Sequence, residues 1–177
     1  MSSSAGFRFS RPYEDDIPDG WTLPEGSTKR GAKAFKKHCA QCHSIYPDGR
    51  VPFAGAAAWG PTMWQVCNRT AGAVIITGNA HISKYLKDSG VVWTDANLMR
   101  YMKNPRAFTE SPVQMNFAGI NDVQMRVDIC HYLHTLCPEH PDGRAIMAAT
   151  ETTPLPTLKE FGAALGLAGR AASPPAA

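Results

Sequence analysis

The stretch Cys39-Ala40-Gln41-Cys42-His43 decides how the rest of the chain is read. Two thiols separated by two residues and followed at once by an imidazole are what covalent haem attachment requires. Each thiol adds across a porphyrin vinyl group to form a thioether, and the histidine lands beneath the iron as an axial ligand. A redox dithiol and half of a zinc site use the same Cys-x-x-Cys spacing. Zinc would call for a second Cys-x-x-Cys or a His-x-x-x-His pair downstream, and none follows. A thioredoxin-like dithiol would sit in a βαβ pattern, which is also missing.

Upstream of the motif the pattern is helical. Ser27 suits an N-cap, Gly31, Phe35 and Cys39 share one face, and Lys29, Arg30, Lys33, Lys36 and Lys37 take the others. An amphipathic helix therefore delivers the motif at its C-terminal end. Downstream comes a loop punctuated by Pro47-Asp48-Gly49, Pro52 and Gly60-Pro61. From Thr62 to Gly90 the signal is mixed. Val74-Ile75-Ile76 is too short for a strand, and a short helix is expected from His81 to Lys87. Asp95 is read as the cap of a helix from Ala96 to Asn104, with Leu98, Met99, Tyr101 and Met102 on its core face and Pro105 as its terminator. A last strong helix starts at Asn121 or Asp122, buries Met125, Ile129, Tyr132, Leu133 and Leu136, and closes at Pro138.

The ends differ in composition. Residues 1–26, with Pro12, Pro18, Gly20, Pro24 and Gly26, read as an extension in coil that Phe7 or Trp21 anchors. Residues 138–177 read as a Pro/Ala-rich C-terminal extension in which only Leu158 to Leu167 has faint helical character. Residues 27–137 form the domain between them. The expected fold class is all-α, with three main helices, no sheet and long loops. So little secondary structure cannot enclose its own core, and a large flat apolar cofactor would fill the centre.

A chain of 177 residues with 44 % hydrophobic residues supports one compact domain with tails. Its net charge of +3 and pI near 8.6 permit an acidic partner surface and fall short of a nucleic-acid binder. No apolar run is long enough to span a membrane. The beginning, Met1 to Arg8, lacks the apolar core of a secretory signal, and Glu14-Asp15-Asp16 is wrong for a transit peptide, so a signal was removed or none is needed. Beyond the motif, Cys67, Cys130 and Cys137 remain, best read as free thiols packed as small hydrophobes.

An electron-transfer haem takes a second axial ligand, and the soft thioether of methionine raises the potential. Met63, Met99, Met102 and Met125 lie on or near helical apolar faces, Met1 is terminal, and Met147 sits in the tail. Met115 alone stands in an interhelical loop long enough to fold back over an iron.

Cys39-Ala40-Gln41-Cys42-His43 taken with Met115-Asn116-Phe117-Ala118-Gly119-Ile120 resembles mitochondrial-type class I cytochrome c over residues 27–136. Gly31 and Phe35 against Ile129 and Tyr132 match that family's crossing helices, and Leu98, Tyr101, Asn104 and Pro105 match its third-helix ending. The resemblance implies one heme c, joined to Cys39 and Cys42, with His43 and Met115 on the iron. It implies a bond from the His43 Nδ1–H to the Pro61 carbonyl, a buried propionate held by Arg69 and Trp93, Tyr101 near the methionine sulfur, and Phe117 shielding the exposed haem edge. Departures accompany it. Val113 and Gln114 stand where the family has a threonine before the methionine, one residue is inserted near Glu110, and His38, Ala107, Gln114, Asn121 and Asp122 replace bases of the family's lysine ring, whereas Lys33 and Arg106 are kept.

The function so implied is one-electron transport, not enzymatic, in the mitochondrial intermembrane space, between quinol:cytochrome c reductase and cytochrome c oxidase. A second reading, from the altered ring and the extensions, is a cytochrome-c-like subunit fixed in a respiratory complex. Peroxidase activity after loss of Met115 is a minor third.

Overall fold

A computed structural model describes residues 17–50, 59–73, 83–109 and 115–152. The expectations for Phe7, Val74 to Ile76, Glu110, Val113, Gln114 and Leu158 to Leu167 lie outside the described residues. Six helices form among those described: α1 (Thr28–His38), α2 (Lys84–Ser89), α3 (Asp95–Lys103), α4 (Pro105–Thr109), α5 (Val123–His134) and α6 (Pro141–Thr152). The sole β feature among them is an isolated antiparallel bridge between Thr70 and Val92.

Packing of α1 against α5 builds the frame. Ser27 caps α1, its hydroxyl oxygen accepting the Arg30 amide at 3.3 Å, and Asp122 caps α5, accepting the Met125 amide at 2.8 Å. Gly31 is the closest point of the crossing: a Cβ there would stand 1.9 Å from the Asp128 carbonyl oxygen and 2.9 Å from the Tyr132 Cβ. One turn on, the Phe35 and Tyr132 rings lie 5.4 Å apart. Asp128 ties the pair at its edge, accepting from the Ser27 amide at 2.8 Å and from two nitrogens of Arg30 at 2.6 and 2.9 Å. The core fills around this frame with Val127, Ile129, Leu133, Leu98, Met99, Phe108 and Leu136.

Three local readings are corrected. Thr94, not Asp95, caps α3, its hydroxyl accepting from the Asn97 amide at 3.2 Å. Asp95 is the first helical residue and its carboxylate turns to His134. Pro105 does end α3, forcing Asn104 into extended backbone, but it also opens α4. Proline suits a first helical position, where no amide hydrogen is needed, and the Asn104 side chain accepts from the Ala107 amide at 3.0 Å. Lastly, the segment read as tail contains α6, as long as α5 at 12 residues. Pro141 again takes the first position, and Asp142 complements the helix dipole. Gly143 is needed for contact: a Cβ there would lie 1.8 Å from the Cys137 carbonyl oxygen.

Both extensions are attached to the domain where they are described. Residues 17–27 are non-helical, as expected. Ile17 is buried and its carbonyl accepts from Arg100 Nε at 2.8 Å, while Asp19 pairs with Arg100 at 2.9 Å. Trp21 packs partly buried on the core, and the Pro24 carbonyl accepts from His131 Nε2 at 2.8 Å. On the other side Ile146 and Met147 of α6 pack onto the core, and Arg50 donates to the Thr150 carbonyl at 3.1 Å.

Candidate functional site

The motif sits where α1 gives way to a tight turn. The Cys39 amide donates to the Phe35 carbonyl at 2.8 Å, and the Cys42 and His43 amides return to the Cys39 carbonyl at 3.1 and 2.9 Å. Both thiols and the imidazole therefore share one turn. The thiols are free. Burial, and secondarily the neighbouring Cys42, push the Cys39 thiol up to about 12, opposite to the lowered values of redox dithiols.

His43 is held from the 60s loop. Its Nδ1 lies 2.8 Å from the Pro61 carbonyl oxygen. A carbonyl only accepts, so Nδ1 carries the hydrogen and Nε2 keeps the lone pair that a metal requires. Burial lowers the pKa of the ring, the Pro61 bond opposes this, and Arg69 adds to the lowering. Gly60 leaves space for the ring, since a Cβ there would stand 2.2 Å from the His43 Cε1. A clamp fixes the two loops: Thr62 Oγ1 donates to the Tyr46 carbonyl at 2.8 Å, and the Met63 and Gly60 amides donate to the Ser44 and Cys42 carbonyls at 2.8 and 2.9 Å. The sequence reading treated Gly60 as loop punctuation and missed this clamp, because both depend on contacts across the loop.

Arg69 and Trp93 are brought together by the backbone. The Trp93 amide donates to the Arg69 carbonyl at 2.9 Å, and the Asn68 amide donates to the Trp93 carbonyl at 2.9 Å. The Arg69 guanidinium is half-buried and donates to the Trp64 and Thr62 carbonyls at 2.7 and 2.8 Å. Burial lowers its pKa, with Cys67 opposing. Its acceptors among the described residues are neutral carbonyls, so the positive charge is available to an anionic group. Trp93 is 8 % exposed and packs edge-on to Tyr101 at 4.9 Å, with Phe108 completing the aromatic cluster at 5.4 Å from Tyr101. Burial alone pushes the Tyr101 hydroxyl up to about 12.

Met115 and Phe117 lie in a non-helical segment fastened to the end of α3, in which the Phe117 amide donates to the Met115 carbonyl at 3.0 Å. Gly119, at φ +93°, brings its backbone so close to Lys103 that a Cβ would stand 2.0 Å from the Lys103 carbonyl oxygen, and the Ile120 amide donates to the Met102 carbonyl at 2.9 Å. Ile120 is buried, while Phe117 and Met115 are half-buried. The glycine and isoleucine of the Phe-Ala-Gly-Ile run are thus the fastening, and the methionine and phenylalanine are what it presents.

The donor set fits a c-type haem: two free thiols and an imidazole lone pair on one turn, an apolar aromatic wall, and a half-buried cation without a carboxylate among its described hydrogen-bond partners.

The Cytochrome c family model matches residues 28–137. This chain belongs to the cytochrome c family. Among curated relatives, the cytochrome c of Theileria parva is 37 % identical over 111 residues, covering 63 % of this chain and 87 % of the relative. Cytochrome c 2.1 of Caenorhabditis briggsae is 33 % identical, covering 65 % and 93 %, and the cytochrome c of Euglena viridis is 34 % identical, covering 63 % and 98 %. Among solved structures, cytochrome cH from Methylobacterium extorquens is 31 % identical with a TM-score of 0.48, covering 62 % of this chain and 99 % of that one. Membership makes this cytochrome c a haem-based electron carrier with a covalently attached c-type haem and redox partners. No helix among the described residues is long and apolar enough to cross a membrane.

Proposed function

We propose that this cytochrome c is a one-electron carrier of the mitochondrial respiratory chain, working in the intermembrane space between quinol:cytochrome c reductase and cytochrome c oxidase, with His43 and Met115 as iron ligands and no enzymatic turnover of its own. The observation that carries the ligation is the 2.8 Å bond from the His43 Nδ1–H to the Pro61 carbonyl, which directs the other ring nitrogen's lone pair to a metal. When bound, haem supplies reversible one-electron exchange at its iron. The chain's own residues do the rest. Pro61 fixes the tautomer, Gly60 and the Thr62 clamp hold the ring in place, Arg69 offers positive charge to a propionate, and Trp93, Tyr101 and Phe108 keep water from that wall. Phe117, half-buried beside Met115, would shield the haem from solvent.

The carrier reading is supported by relatives named cytochrome c in three eukaryotes. It is supported also by the exposed cations Lys29, Lys33, Lys36 and Lys37 on α1, which suit steered docking on an acidic partner. Both extensions, where described, bury residues in their own domain. That gives them a use other than tethering the chain to a complex.

The holoprotein tests this. Met115→Ala is expected to abolish the methionine-to-iron charge-transfer band of the oxidised protein and to lower the reduction potential, since thioether ligation favours the ferrous state. Retention of both would remove Met115 from the iron. Turnover of cytochrome c oxidase is expected to fall as ionic strength rises. Negligible turnover at every salt concentration, together with co-migration with a large complex in native gels, would instead assign the protein as a fixed subunit.

A further inference from the structure

The last turn of α3 is tied on two sides. On one side the Met102 carbonyl accepts the Ile120 amide at 2.9 Å, and the Gly119 backbone is pressed on the Lys103 carbonyl, which fastens the segment that carries Met115. On the other side Arg100, only 8 % exposed, reaches from the same turn to the N-terminal segment. Its Nε donates to the Ile17 carbonyl at 2.8 Å, its Nη2 donates to the same oxygen, and its Nη1 pairs with Asp19 at 2.9 Å.

From Asp19 the chain crosses α5 and enters α1. The Trp21 amide donates to the Pro18 carbonyl at 3.2 Å, and Trp21 and Leu23 pack on the core. His131 Nε2 lies 2.8 Å from the Pro24 carbonyl oxygen, and Gln124 Nε2 donates to the Glu25 carbonyl at 3.3 Å. Gly26 lies so close on α5 that a Cβ would stand 2.2 Å from the His131 Cδ2. Residues 17–27 are therefore a strap running from the end of α3 to the crossing of α1 and α5. The Asp19 side chain is 89 % exposed, so solvent screens that pair. The attachment lies in the buried Ile17 side chain and in its carbonyl, whose loss would leave a buried guanidinium short of an acceptor.

Helix ends open before helix middles, because their last carbonyls lack partners within the helix. Here the turn most prone to open is the one from which the methionine segment hangs. We propose that the strap braces this turn, with Arg100 as a positioning residue that holds Met115 in place through the Met102 and Lys103 carbonyls. The effect on the iron rests on the Met115 ligation proposed above, whereas the effect on the segment itself does not. Release of the strap frees the end of α3, and Met115 then spends a larger fraction of its time displaced.

The full-length, haem-loaded ferric protein is titrated with imidazole, which competes with Met115 for the iron, so that its apparent affinity follows the fraction of molecules in which the methionine is displaced. Amide exchange of residues 115–120 is followed in parallel by mass spectrometry. Arg100→Gln is expected to tighten imidazole binding and to speed that exchange, each by at least about fivefold. Ile17→Ala should act in the same direction, and it is the decisive variant if Arg100→Gln fails to fold, since it leaves the sequence of α3 intact. Gly143→Val, which unseats α6 and does not touch the strap, should leave both readouts at the parent's values. If Met115 is not a ligand, imidazole binds the parent and Met115→Ala alike while exchange of residues 115–120 still quickens in the strap variants, and the ligation alone fails. Exchange unchanged in whichever strap variant folds, or quickened equally by Gly143→Val, would overturn the brace. Imidazole affinity unmoved by the strap variants but tightened by Met115→Ala would overturn the link from Arg100 to Met115.

Discussion

Gly31 and Gly60 are each defined by a neighbour that leaves no room for a methyl group, and each yields a different measurable failure. At Gly31 the obstacle is backbone, the Asp128 carbonyl at 1.9 Å, so Gly31→Ala forces α1 and α5 apart. The expected cost is that of overpacking, about 1–3 kcal/mol, seen as a lower urea midpoint with unchanged slope. At Gly60 the obstacle is the His43 ring, 2.2 Å away, so Gly60→Ala displaces that ring without disturbing the helix crossing. Its expected signature is a weakened His43–Pro61 bond and an altered haem spectrum, and an unchanged spectrum would show that the ring can shift freely. Legibility at this scale divides along the same line. Cys39, Cys42 and His43 were readable because attachment chemistry dictates their spacing, and the Gly31 and Phe35 positions because helical periodicity placed them on one face. The Arg30–Asp128 pair, the Thr62 clamp and the His134–Asp95 pair were not, since each joins residues far apart in the chain and no periodicity links them.

Among the elements, the crossing helices were recognisable as far as their caps, whereas α4 and α6 were not. The reason is common to both: proline stops the helix before it and can start the one after it, and a sequence pattern shows the first effect more plainly than the second. α6 was hidden further by Gly143, whose meaning depends on the Cys137 carbonyl beneath it. Gly143→Val separates these roles. It would place bulk against that carbonyl, unseat Ile146 and Met147 from the core, and free Arg50 from the Thr150 carbonyl. The expected outcome is a lower Tm and faster amide exchange in the loop carrying Arg50, with the haem absorption spectrum retained. If Tm and exchange stay at their original values, α6 contributes nothing to the stability of the domain.

For the molecule as a whole, two ion pairs bracket the pH range of stability from opposite sides. Asp128 has its pKa lowered from 3.8, chiefly by the hydrogen bonds from Arg30. Its contribution is present above that ordinary value and is lost as acid protonates it below. His134 has the opposite sign: raised from 6.5 to about 10 by Asp95 and Cys67, it stabilises fully below its unfolded pKa, and that gain drains away as pH climbs from about 6.5 to about 10. The pair is part-exposed, with 41 % of the His134 side chain accessible, so solvent screens it and the slope is shallow. Thermal unfolding of the holoprotein against pH resolves the two limbs. Asp128→Asn is expected to lower Tm at neutral pH and to flatten the acid limb alone, whereas His134→Gln flattens the alkaline limb alone. Asp128 joins α5 to α1 and His134 joins α5 to α3, so the two limbs report separately on the two faces of α5. A variant that flattened both would mean that the faces open together.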